Sequence, residues 1–111
     1  MIAFEISIDG EKRCTAGVAD LGVVTVIAAW VRRTTADPTN TTAFGTIEEE
    51  LTLDVGGLSH DPDGAALQLR WLREAVRPGQ RITLTILQTD TVDTPEMRRE
   101  DPAATQRKKR E

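Results

Sequence analysis

Residues 61–79 read Asp61-Pro62-Asp63-Gly64-Ala65-Ala66-Leu67-Gln68-Leu69-Arg70-Trp71-Leu72-Arg73-Glu74-Ala75-Val76-Arg77-Pro78-Gly79, and the fold class turns on their periodicity. Asp61 can cap free amides, and Pro62 fits the first turn of a helix. Ala65, Leu69, Leu72 and Val76 then recur at helical spacing, with Trp71 and Ala75 at the margins and Arg70, Arg73, Glu74 and Arg77 left to solvent. Pro78-Gly79 closes the segment. The pattern predicts one short helix, which needs tertiary packing because so short a helix is marginal alone.

The flanking segments alternate instead. Downstream, Arg81 to Thr89 places Ile82, Leu84 and Ile86 on one face and threonines on the other, as a strand requires. Upstream, Ile47, Glu49, Leu51, Leu53 and Val55 share one parity. Glu49 therefore falls on the core face, which predicts a bulge or a solvent-exposed start, and Gly56-Gly57 predicts an end or a sharp bend. Residues 34–45 have the composition of a loop.

Two periods compete in Val23-Val24-Thr25-Val26-Ile27-Ala28-Ala29-Trp30-Val31. Val23, Val26, Ile27, Trp30 and Val31 make a helical stripe, whereas the β-branched start and apolar side chains of both parities describe a strand covered on both faces. The strand reading is favoured, and it would allow Trp30 to sit beneath the helix that carries Trp71. At the N-terminus, Ile2, Phe4, Ile6 and Ile8 alternate with Ala3, Glu5, Ser7 and Asp9. Asp9-Gly10 then suits a tight hairpin turn into a second strand over residues 11–16.

Together these segments predict an α+β domain: about five mostly antiparallel strands in a curled sheet, covered by one short helix. The alternative, with residues 23–31 helical, has four strands and two helices. Residues 1–95 form the strand-rich domain, and residues 96–111 read as a charged, flexible tail.

Composition narrows the function classes. Of 111 residues, 39% are hydrophobic and 29% charged, a globular balance. The apolar stretch from Gly22 to Val31 is far shorter than the roughly 20 residues of a membrane-spanning helix. Met1 to Glu5 has no basic region ahead of an apolar run, so a cytoplasmic protein is expected. Residues 1–95 carry eight Lys/Arg against fourteen Asp/Glu, net -6, while residues 96–111 carry six against four, net +2. The acidic body disfavours nucleic acid and suits a protein partner with a basic surface, or a second copy meeting it through a sheet edge.

The expected function is a noncatalytic protein-binding or accessory module that uses an acidic surface or a sheet edge. Its candidate interaction residues are Glu48, Glu49 and Glu50 together with Asp61, Asp63, Asp90 and Asp93. The alternative is a small metal-dependent or acid-base enzyme built on the His60 and Asp90 loops, with His60, Asp61 and Asp63 as ligands or proton carriers. Their spacing matches no strong metal site, and no cofactor is implied. A further alternative is weak nucleic-acid binding through Arg107, Lys108, Lys109 and Arg110, an electrostatic contact without an aromatic platform. Cys14 is the one cysteine, flanked by Lys12 and Arg13, and reads as a structural thiol.

Overall fold

A computed structural model describes residues 1–34, 46–61 and 63–100. Its elements are strands only: β1 (Ile2–Ile8), β2 (Glu11–Gly17), β3 (Val23–Thr34), β4 (Ile47–His60), β5 (Ala66–Ala75), β6 (Ile82–Gln88) and β7 (Met97–Glu100). They form two antiparallel sheets, ordered β2-β1-β6 and β3-β4-β5-β7. The domain is therefore all-β, which overturns both the α+β expectation and its four-strand, two-helix alternative.

The first sheet grows from the predicted hairpin. Asp9 and Gly10 both adopt positive φ, 52° and 81°, the conformation of a tight two-residue turn. The β1–β6 ladder is tied at each end: Asp9 N–H donates to Arg81 O at 2.8 Å, and Thr89 N–H donates to Met1 O at 2.9 Å. Ile6 and Ile8 of β1 are fully or almost fully buried, whereas Ile2, of the same parity, is 58% exposed.

The second sheet contains the segment expected to be helical. Opposite β4, the pairing shifts: Val55 faces Leu72 and Gly56 faces Arg70, so Trp71 is an extra residue in β5. Such a bulge reverses side-chain parity along the strand. Leu67, Leu69 and Trp71 point into the core before it, and Leu72 and Val76 pack there after it. The recurrence of Leu69, Leu72 and Val76 at three and four residues is thus strand alternation with one residue inserted. Asp61 accepts hydrogen bonds from Asp63 N–H at 3.0 Å and Ala65 N–H at 2.8 Å, so its capping chemistry builds a turn between strands. The predicted first helical residue, Pro62, lies outside the described residues. Gly79, at φ 92°, completes a Pro-Gly turn into β6 instead of ending a helix.

Gly56-Gly57 does not end β4 either, since the strand continues to His60. A Cβ on Gly56 would lie 2.8 Å from Leu69 O, and one on Gly57 would collide with Val23 O. The two glycines let β3 and β5 close on β4 at the bulge. β3 takes the strand form favoured for residues 23–31, and Met97–Glu100 add a short seventh strand beside β5, where composition reads as tail. Residues 101–111 lie outside the described residues.

The sheets pack face to face where β1 and β2 meet β4 and β5. Ile6, Ile8, Cys14 and Ala16 from the first sheet meet Leu53, Val55, Leu69 and Trp71 from the second. Gly57→Ala should lower stability by ~1–3 kcal/mol, the usual cost of forcing a side chain into occupied space. Urea unfolding measures this, and a loss below ~0.5 kcal/mol would mean that β3 is not held against Gly57.

Candidate functional site

Three regions carry the residues singled out from the sequence: a cleft beside His60, the edge formed by β3 and its hairpin with β4, and the C-terminal basic run. Arg107, Lys108, Lys109 and Arg110 of that run lie outside the described residues.

The cleft brings Ser59 and His60 at the end of β4 together with Asp93 from the β6–β7 connection, Asp20 from the β2–β3 connection and Arg98 of β7. His60 and Asp93 therefore share a site, while Asp63 and Asp90 are exposed on their turns. Two of the carboxylates near His60, Asp61 and Asp93, have structural tasks, however. Asp61 holds its own turn. Asp93 accepts Thr15 N–H on Oδ2 at 2.8 Å, its own N–H donates to Thr15 O at 2.9 Å, and its carbonyl accepts Trp71 Nε1–H at 2.8 Å. One residue thus pairs with the outer edge of β2 and receives the indole of β5. Among the described residues, no three His, Cys, Asp or Glu side chains converge to hold a metal ion.

Cys14 lies under this same connection, buried at 4% exposure and opposite Ile6. Burial, with the carboxylates of Asp93 and Glu96 adding to it and Lys12 opposing, pushes its thiol from 9.0 up to about 11. The neighbouring Arg13 is drawn away. It is the extra residue in a second bulge between β1 and β2, and it reaches Glu74 of β5 at 3.2 Å and Glu11 at 2.9 Å.

The β3–β4 hairpin presents different chemistry. Their pairing runs from Val23 opposite Leu58 to Thr34 opposite Ile47, but β5 pairs with β4 only from Thr52 onward. Beyond that point, among the described residues, no strand pairs with β4 on the β5 side. Glu48, Glu49 and Glu50 lie on this arm, exposed and opposite Arg33, Arg32 and Val31. Arg33 bridges to Glu48 at 3.2 Å and to Glu50 at 3.7 Å, so part of the acidic run is neutralised within the hairpin. Glu49 has the core parity but no core above it, which accounts for its place in the alternation.

Sequence reasoning missed the apolar character of this surface. Trp30 is 60% exposed and Ile27 52%, while Ile47 and Val23 are comparably open. Trp30 does not lie in the core with Trp71, which is buried. On the other sheet, Leu84 and Ile86 of β6 are also exposed. A signal was present: apolar residues of both parities in residues 23–31 require two covered faces, and the predicted helix was needed to supply one of them.

No family model, no curated protein and no solved structure matches this chain. Among the described residues, no helix is long and apolar enough to cross a membrane.

Asp93→Ala should destabilise the domain by ~1–3 kcal/mol, because Thr15 N–H is left buried without its acceptor. Urea midpoints for the variant and the parent measure it. The thiol's raised pKa means that the folded state keeps its proton between pH 9 and about 11 while the unfolded chain loses it, so stability falls with rising pH across that window. Cys14→Ala should flatten that part of the stability profile, and Cys14 in the parent should resist alkylation at neutral pH until the chain unfolds.

Proposed function

We propose that this domain is a noncatalytic binding module whose recognition surface is the open β3 edge and the hairpin arm it forms with β4. The observation that carries this reading is the exposure of Trp30 and Ile47 on the projecting two-stranded arm, with Ile27 open on the other face of β3 where it leaves the body. Large aromatic and aliphatic side chains at the centre of a patch supply most of the energy of protein recognition. An unpaired strand edge supplies main-chain donors and acceptors for a partner strand.

The acidic residues play a secondary part in this reading. Glu48, Glu49 and Glu50 rim the arm, where charges guide encounter and disfavour wrong partners. Asp61 and Asp93 are committed to backbone amides and contribute little to a binding face. The cytoplasm is the proposed setting, since a single buried thiol suits a reducing compartment.

The test is affinity capture with the full tagged chain and its Trp30→Glu variant across a salt series. The parent should retain a protein, a second copy of itself included, that the variant loses while keeping its strand signature in circular dichroism. Equal retention by both, or none by either, would overturn the reading.

A further inference from the structure

We propose that two copies of this chain associate by antiparallel pairing of their β3 edges about a twofold axis at Ile27. This inference rests on the binding-module reading and names its partner. Its first support is a mismatch between composition and position. Val23 to Val31 is apolar throughout except at Thr25, yet among the described residues β3 stands at the end of the order β3-β4-β5-β7. No proline, lysine or other charge interrupts Val23–Val31, and no bulge breaks its ladder to β4. Such a long apolar edge lacks the charges, prolines and bulges that ordinarily keep strands from pairing. Pairing two copies turns each β3 into an interior strand of one continuous sheet.

The second support is that the strand complements itself. Centring the antiparallel pair on Ile27 places Val23 opposite Val31 of the other copy, Val24 opposite Trp30, Thr25 opposite Ala29 and Val26 opposite Ala28. Each pair shares a face, so the core sides of both copies remain together. Val24 and Val26 already pack toward the core, and Val23 and Ile27 are the open residues of the opposite face. Arg32 and Arg33 fall beyond the apolar run, opposite Gly22 and Leu21, which brings Asp20 of the other copy to a diagonal position beside Arg32. Sliding the axis to Ala28 would set both arginines against Val23 and Val24, and sliding it to Val26 would set Trp30 against Gly22. The axis at Ile27 pairs the whole apolar run Val23–Val31 with itself and leaves both arginines beyond it. Such an isologous pairing closes on itself as a dimer.

Sedimentation velocity on the full chain should show a concentration-dependent dimer. Ile27→Lys places two ammonium groups opposite each other on the axis and should weaken dimerisation about tenfold or more. Ile27→Cys should form a disulfide between copies under mild oxidation, since directly paired strand residues lie within disulfide reach. Leu84→Cys on the β6 edge should not, and the parent provides a clean background because Cys14 is buried. A monomer at every soluble concentration would overturn the dimer, as would cross-linking through Leu84→Cys but not Ile27→Cys. Capture of a different protein by a monomeric parent, lost in Trp30→Glu, would overturn the dimer and leave the binding-module reading standing. Failure of both capture and dimerisation would remove both.

Discussion

One residue that belongs to neither sheet is hydrogen-bonded to both. Asp93 sits on the connection from β6 to β7, which leaves the first sheet and enters the second. Its backbone and carboxylate pair with Thr15 like a one-residue strand, and its carbonyl receives the indole of Trp71. Hydrogen bonds of this kind contribute modestly when made but cost more when a buried partner is left without them. Thr15 is 5% exposed, so its amide has no ready substitute in water. The same crossing covers Cys14 and closes the outer edge of β2. The apolar core supplies the bulk of the attraction between the sheets, and Asp93 fixes where they meet.

That core occupies only part of the facing surfaces. Ile6 and Ile8 are buried against Leu53 and Val55, but Ile2 at the other end of β1, with Leu84 and Ile86 of β6, remains open. Apolar burial contributes roughly 25 cal/mol per Å² removed from water, so each open side chain is stabilisation the monomer does not obtain. Small domains have little to spare in this respect. Among the described residues, six of the ten exposed large apolar side chains lie on β3 and β6, each at one end of its sheet, and the other four on β1, β4 and the β2–β3 connection. Exposure at sheet ends is what further pairing would remove, whereas scattered exposure would need no explanation.

The sequence was legible where local chemistry acts alone. The Ile2–Ile8 alternation, the Asp9-Gly10 turn, the strand through Leu51, Leu53 and Val55 and the strand beginning at Ile82 follow from period-two patterning and turn residues with no reference to the rest of the chain, whereas the continuation of β4 past Gly56-Gly57 to His60 does not. The error at residues 65–76 has one cause. A bulge inserts Trp71, and strand alternation with one inserted residue places Leu69, Leu72 and Val76 at the spacing of a helical face. Only the register against Val55 and Gly56 separates the two, and register is a long-range property. The meeting of Asp93 with Thr15 was equally beyond local reading, since it joins residues 78 positions apart. Asp93 could be singled out as an acidic loop residue, but not as a strand partner.

The finding that residues 66–75 are a strand and not the expected helix also changes how the acidic surface is read. With a helix over the sheet, residues 23–31 would be covered and the charged loops would be the natural recognition surface. In the all-β arrangement nothing from residues 65–76 covers β3, because those residues are themselves a strand on the far side of β4. The charges are then partly spent within the fold: Glu48 and Glu50 on Arg33, Asp61 on its turn, Asp93 on Thr15. Exposed ion pairs of this kind contribute little and are screened by salt, so they cannot fix a register by themselves. Main-chain pairing along β3 offers donors and acceptors along the whole strand, and the size of the side chains it sets opposite one another distinguishes one register from the next. On the proposed reading, charge guides approach to this surface, and the order of Val24, Ile27 and Trp30 along the strand selects what fits it.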